Sequence, residues 1–265
     1  MQMNVVGRVE SLWRYPVKSM RGEALPEAFV SFSGILGDRL YALQKSAGPK
    51  AFPYLTARAR KDMLQYRPFF RHPQHSVLPS NLAEADASGP GLTPLYPSFE
   101  DLPVDIETPA GGILGIDDPR LLSAFGDSRS PADALTIRKS DRSLTDCRPI
   151  SIFSTQTIGQ MQSDLGVALD KRRFRANIYV DFGPVAAFAE DEYVGRKFQI
   201  GRKVKIIILE RDIRCRMINF DPDTTEANPE ILQYVTRNHE GKAGIYAAVL
   251  VEGAVQTGDE ICLVE

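Results

Sequence analysis

The sequence predicts a mainly β protein with some helix, an α+β chain whose sheet is barrel-like and decorated by a few helices. Three observations carry this. Short apolar and β-branched runs recur between glycine turns along most of the chain. Two or three segments show the 3.6-residue spacing of a helix. With 43% of its 265 residues apolar, the chain can bury a sizeable core. At about 150 residues per domain, that length fits one large domain or two packed closely together.

The elements follow in order. Residues 5–13 alternate imperfectly, 28–32 are aromatic and β-branched, and 39–44 follow the turn-formers Gly34 and Gly37, giving three strands. From Pro68 to Pro103 there are seven prolines in 36 residues, a density that opposes regular helix and central strand, so a long irregular surface excursion is expected. A strand at 104–108, a Gly111-Gly112 turn, a short helix at 119–125 and a strand at 136–139 come next. Within 155–165, Ile158, Met161 and Leu165 fall on one helical face, and Ser154 supplies an N-cap oxygen. Strands return at 176–180 and 203–210, where Ile206, Ile207, Ile208 and Leu209 suit a strand buried on both faces. Asn228-Pro229 opens a helix whose buried face is Ile231, Leu232 and Val235 and which Gly241 ends. Strands at 244–251 and 259–264, joined by a turn at 253–258, predict a hairpin-like close.

Charge and cysteine content narrow the function classes. Lys+Arg 32 against Asp+Glu 34 leaves a net charge of -2, without the electrostatic footprint of a nucleic-acid or anionic-membrane binder. No stretch of about 18 apolar residues occurs, and the N-terminus lacks a basic segment followed by an apolar one, so a cytoplasmic protein is expected. Cys147, Cys215 and Cys262 form no C-x-x-C pair, which argues against a disulfide framework and against four-thiolate zinc or iron–sulfur sites. The chain also lacks G-x-G-x-x-G, P-loop and G-x-S-x-G motifs. Any redox chemistry must therefore draw its electrons from elsewhere.

Cys215 stands among Arg211, Arg214 and Arg216. Cationic neighbours favour a thiolate, the form that ligates soft metals or attacks electrophiles, but a small buried hydrophobe between solvated arginines fits the same residues. Cys147 and Cys262 favour the second reading more strongly, Cys262 alternating with Ile261 and Leu263 in a strand. The run Lys171-Arg172-Arg173-Phe174-Arg175, with eight Lys/Arg between Arg196 and Arg216, is either a solvated face or an anion pocket in which guanidiniums clamp a phosphate. Lys18 and Ser19 would join such a pocket if they fold beside it. His72 and His75 are three apart, but Pro73 breaks the helix that would align them and no third ligand is near. His239 reads as a cationic partner for a helix C-terminus.

Four segments in this order resemble the MOSC family, named for the C-terminal domain of molybdenum cofactor sulfurases, with its N-terminal β-barrel companion. They are Val9-Glu10-Ser11-Leu12-Trp13-Arg14-Tyr15-Pro16-Val17-Lys18-Ser19; Gly37-Asp38-Arg39 with Leu55-Thr56-Ala57-Arg58; Arg173-Phe174-Arg175-Ala176-Asn177; and Arg214-Cys215 with Asp221-Pro222-Asp223-Thr224. The match is similar in kind to the mitochondrial amidoxime-reducing components and their bacterial relatives. It implies an N-terminal barrel-like domain over 1–118 and a MOSC domain over 119–265. It implies a molybdenum cofactor, Mo-molybdopterin, with Cys215 as metal ligand. Cofactor contacts would come from Lys18, Ser19, Arg39, Arg58, Arg175 and Asn177, with main-chain contacts around Asp146, Arg148, Asp212 and Arg214.

The activity so implied is reduction of N-hydroxylated small molecules such as amidoximes, hydroxylamines and hydroxylated nucleobases. A separate ferredoxin- or flavin-type reductase would supply electrons, because the chain ends at Glu265 without the ferredoxin domain some relatives append. Asp212, Asp223 and Asp191 stand open as proton donors. The alternative is a sulfur or cofactor carrier using a Cys215 persulfide; a cofactor-free structural relative is a third reading. Pyridoxal phosphate, often mentioned for the family, is not expected, since no Schiff-base lysine can be assigned. Two positions depart from the family pattern. Thr225 stands where relatives usually have glycine, and Ala243 where they carry an aromatic before Gly-x-Tyr.

Overall fold

The computed structural model describes residues 4–87, 102–126 and 134–264. The first part of the chain forms β1 (Asn4–Arg14), β2 (Glu23–Leu25), β3 (Glu27–Ser31), β4 (Gly34–Ile35), β5 (Tyr41–Lys45) and β6 (Arg67–Phe70). Then come α1 (Leu82–Ala87), β7 (Val104–Glu107), β8 (Ile113–Gly115), α2 (Pro119–Phe125), β9 (Leu135–Lys139), β10 (Ile150–Ser154), α3 (Thr155–Leu165) and β11 (Ile178–Asp181). The rest is β12 (Lys197–Ile200), β13 (Val204–Ile213), α4 (Pro229–His239), β14 (Lys242–Val251), β15 (Gly253–Gln256) and β16 (Glu260–Val264).

Seven strands close into a barrel in the order β11-β10-β14-β13-β12-β16-β1, the pairing of β1 with β11 completing the ring. Every pairing is antiparallel except that of β10 with β11. Val9, Leu12, Ile152, Ile178, Phe198, Ile206, Ile245 and Ile261 belong to its interior. A second core, with Val17, Tyr41, Leu43, Met63, Ile106 and Leu121, lies among the shorter sheets. The expected mainly β architecture with a few helices is what forms. Pairings cross the expected 118/119 division in both directions: β1 closes the barrel, β9 pairs with β5, and β15 pairs with β3.

Several local expectations hold, and their causes are visible. The register of β1 shifts between Val9 and Ser11 against β11 and between Val5 and Gly7 against β16, so bulges account for the imperfect alternation. Ser154 Oγ accepts the N–H groups of Gln156 and Thr157 at 3.1 and 3.3 Å, opening α3. Asn228 Oδ1 accepts that of Glu230 at 3.0 Å, opening α4, which buries Ile231 and Val235.

Other expectations are corrected. The isoleucine run of β13 is not buried on both faces: Ile206 and Ile208 are buried, while Leu209 is 37% exposed. A barrel strand has one face in the closed interior and one outside, so the pattern is alternation. The 68–103 excursion contains β6 and the short helix α1, with 88–101 outside the described residues. Pro68 fits a strand because β6 is the edge of the sheet β6-β7-β8, where a missing N–H breaks no ladder. The chain does not close as a hairpin: β14 lies between β10 and β13, β16 between β12 and β1, and 253–256 is itself a strand. His239 stacks on Phe188 at 3.4 Å, and burial with nearby Arg211 pushes its pKa down, which disfavours the cationic partner expected at that helix end.

One buried carboxyl gives a pH test of the fold. Glu190 is fully buried, its oxygens 2.8 Å from the Thr157 hydroxyl, which accepts the Phe188 N–H. Burial pushes its pKa above the ordinary glutamate range, against the backbone and Thr157 hydrogen bonds. With the folded pKa above the unfolded one, its contribution is full below the unfolded value and is lost as pH rises through the folded value. Glu190→Gln removes this loss. The melting temperature of the variant should therefore gain on that of the wild type as pH rises from about 4 towards 7; parallel melting curves across that range would contradict the assignment.

Candidate functional site

A cleft of about 280 Å³ opens where the barrel meets the second core. Its walls come from distant parts of the chain. Leaving the barrel, β1 delivers Lys18 and Ser19 beside β5, where Lys18 N–H bonds Tyr41 O at 2.8 Å. Arg39 follows β4, Arg58 lies in the loop after β5, and Asp146 and Arg148 precede β10. Arg175 and Asn177 lie between the 3₁₀ turn Lys171–Phe174 and β11. Asp212 is near the end of β13, with Arg214 and Cys215 just beyond it. All eleven residues singled out from the sequence line this one cleft, together with Thr56, Ser151, Arg173, Met217 and Tyr246.

The lining is strongly cationic. Lys18, Arg39, Arg58, Arg148, Arg173, Arg175 and Arg214 face two carboxylates, Asp146 and Asp212. Lys18 is 4% exposed; burial pulls its pKa down, and it is held by Asp146 and by Leu144 O at 2.7 Å. Burial raises the Asp146 carboxyl, but Lys18, with Arg39 and Arg58 beyond it, outweighs this and keeps it below the usual range. Arg39 is ion-paired with the fully buried Asp38. Arg148 pairs with Glu210 at 2.7 Å and Arg173 with Asp221 at 2.9 Å.

Arg175, like Arg173 and Arg214, keeps a buried guanidinium nitrogen without a hydrogen-bond partner. Its Nη1 donates to Met20 O at 2.8 Å, and its Nη2 is buried with no hydrogen-bond partner. Burial, with Arg39 nearby, pushes its pKa down to about 10. Such an atom has given up water without receiving an acceptor, an arrangement that favours an incoming anion.

Some of the predicted residues also brace the fold. Asn177 Oδ1 accepts Ser151 N–H at 3.2 Å and its Nδ2 donates to Trp13 O at 3.3 Å, tying β10 to β1. Arg214 donates to Ala243 O at 2.7 Å and Phe174 O at 2.9 Å, and its Nη2 is 2.8 Å from Asp212. Gly244, at φ +76, makes room for it, since a Cβ there would lie 2.9 Å from Arg214 Nη2 and 2.7 Å from Ile152 O. Asp212 is buried, accepts the Ser151 hydroxyl at 3.0 Å and hydrogen-bonds Tyr246. Burial pushes its pKa up against the opposing pull of Arg214. Tyr246 and Ser151 were not anticipated; each sits opposite the other in the β10–β14 register, a pairing that no local sequence signal carries.

Cys215 is free, half-buried and makes no side-chain capping bond at the head of the 3₁₀ turn Arg216–Asn219. Cys147 is exposed, contrary to expectation, with its Sγ 3.5 Å from Glu210, and Cys262 is buried in β16. Asp223 and Asp191 lie away from the cleft lining, Asp223 clamped by Arg21 and Arg172, Asp191 by Arg211. His72 and His75 are exposed at a 3₁₀ turn, and among the described residues no three His, Cys, Asp or Glu gather as a metal site. Thr225 adopts φ +62, so the backbone keeps a left-handed turn that favours glycine.

Among the described residues no helix is long and apolar enough to cross a membrane. No curated protein matches the sequence. Among solved structures, the YuaD protein of Bacillus subtilis matches at 16% identity over 96% of this chain and 93% of its own, with a TM-score of 0.48. YiiM from Geobacillus stearothermophilus matches at 19% identity over 44% of this chain and 55% of its own, TM-score 0.36. YiiM from Escherichia coli matches at 18% identity over 44% and 55%, TM-score 0.34. Two family models match in sequence order, the MOSC N-terminal beta barrel domain over residues 6–91 and the MOSC domain over 139–262. Lys18, Ser19, Arg39, Thr56 and Arg58 fall within the first, and Cys215 with the remaining cleft residues within the second, so the chain belongs to the MOSC family as a MOSC domain with its N-terminal β-barrel domain.

Proposed function

We propose that this protein is a molybdenum cofactor-dependent oxidoreductase that reduces N-hydroxylated small molecules with electrons from an external ferredoxin- or flavin-type donor. The observation that carries the reading is the pairing of one free thiol, Cys215, with a cation-lined cleft in which Arg175 Nη2 is buried without a hydrogen-bond partner. The residues present fit a molybdenum–pterin group. A thiolate suits a soft metal, and a buried guanidinium nitrogen without an acceptor suits a pterin phosphate.

In this reading Cys215 Sγ would hold the metal, while Lys18, Arg39, Arg58 and Arg175 would hold the phosphate, with the Ser19 hydroxyl beside them. When bound, the group supplies two-electron oxygen-atom transfer chemistry, which no side chain of the protein can perform. The protein contributes position. Of the three carboxylates considered as proton donors, Asp212 lines the cleft, where burial raises its pKa against the pull of Arg214.

The test is turnover. Protein purified with its metal from a host that makes the cofactor should reduce an amidoxime with an artificial one-electron reductant. Metal-loaded protein that shows no turnover of amidoximes, hydroxylamines or N-hydroxylated bases would overturn the assignment, and stoichiometric transfer of labelled sulfur from Cys215 would replace it with a carrier role.

A further inference from the structure

We infer that Tyr15, which lies behind the cleft, is a positioning residue whose ring is the shared platform for Arg39 and Arg175, aiming both guanidiniums at one phosphate-type dianion. This rests on the proposed anion-holding role of the cleft and adds to it a residue outside its lining.

The Arg39 Cζ lies 4.7 Å from the centre of the Tyr15 ring and the Arg175 Cζ 4.2 Å. Tyr15 is 1% exposed, so both contacts are largely screened from water, where attraction between a cation and a ring face is strongest. The Arg39 charge helps to push the Arg175 pKa down, so the two guanidiniums repel, and a ring that attracts both offsets part of that repulsion.

The ring itself is fixed from several sides. Tyr15 N–H donates to Asp38 Oδ1 at 2.8 Å, its C=O accepts the Arg39 N–H at 2.7 Å, and its hydroxyl donates to Ala176 O at 3.2 Å. Thus one residue is tied to the neighbours of both arginines. Arg39 Nη2 closes the circuit by donating to Arg175 O at 3.1 Å. Arg39 and Arg175 share a left-handed backbone, φ +48 and +53, strain that an over-determined site can hold. Gly22 lies against the ring edge, where any Cβ would collide with Tyr15 Cε1 and Cδ1. Burial pushes the phenol up to about 12, so the platform stays neutral at working pH.

A purely space-filling role predicts that leucine serves as well as tyrosine; a platform requires an aromatic face. The full chain, purified from a host unable to make the cofactor, is titrated with inorganic phosphate by calorimetry at low salt. Tyr15→Phe should keep the affinity within about twofold, while Tyr15→Leu should lose about tenfold or more with cooperative melting retained. Should the leucine variant not fold, Gly22→Ala displaces the ring without removing it and should weaken phosphate in the same direction. In the wild type the side-chain Nε–H resonances of Arg39 and Arg175 should shift with phosphate along one common curve. Phosphate affinity unchanged in the folded leucine variant, or a response from one arginine alone, overturns the role of Tyr15. A wild type that binds no phosphate overturns the anion-holding reading beneath it.

Discussion

Cys215→Ser is expected to leave the protein folded and nearly empty of molybdenum. The thiol makes no side-chain capping bond, and what the fold uses at this position is the main-chain oxygen, which accepts Ile218 N–H at 3.3 Å. Serine preserves that bond, so stability should change by no more than about 0.5 kcal/mol. The metal loss follows from chemistry: a serine hydroxyl stays protonated at neutral pH and offers hard oxygen where the metal favours polarizable sulfur. Wild type and variant purified side by side from a cofactor-making host, with molybdenum per chain read by elemental mass spectrometry, should differ by about tenfold or more. Neither remaining cysteine lines the cleft to take over. Metal retained by the variant would remove Cys215 from the ligand role, and a metal-free wild type would remove the cofactor from the reading.

What the sequence made legible, and what it did not, divides along the distance over which residues interact. The caps Ser154 and Asn228 and the buried faces of α3 and α4 depend on residues within one or two turns, and they were readable. The fate of β1 was not: its strand character is local, but its partners lie far along the chain, at β11 and β16. The same limit hid the separation of β14 from β16 and the barrel alternation of Leu209. Pro68 misled because proline density signals a break without showing whether the strand it enters is an edge. The cationic cleft residues could be named individually through the family resemblance, since Tyr15 to Ser19, Gly37 to Arg39, Arg58 and Arg173 to Asn177 are short contiguous motifs. What remained illegible was which of them also brace the fold. That Asn177 and Arg214 serve the fold, that Arg175 keeps a nitrogen free, and that Ser151 and Tyr246 flank Asp212 are consequences of strand register.

Asp38→Ala should be the most damaging single change in the support of the cleft. The Asp38 carboxylate is fully buried and serves three donors at once: Tyr15 N–H at 2.8 Å, the Arg39 guanidinium, and the Ser143 hydroxyl at 3.2 Å. Alanine leaves an unpaired guanidinium whose side chain is 13% exposed, together with an orphaned backbone N–H. Removing one partner of a buried pair costs about 3–5 kcal/mol, and the partial access of Arg39 to the cleft places the expected loss near about 3 kcal/mol. For a chain of this size that is a fall in melting temperature of roughly 6–12 °C. The cause can be separated from simple loss of packing by a double-mutant cycle. If the penalty comes mainly from the stranded charge, Arg39→Met on the Asp38→Ala background should recover about 2 kcal/mol by replacing that charge with an apolar chain of similar length. Strict additivity of the two changes would show instead that Asp38 matters through Tyr15 N–H and Ser143. In that case the phosphate affinity of Asp38→Ala should fall along with that of Tyr15→Leu, because what the carboxylate held in place was the ring.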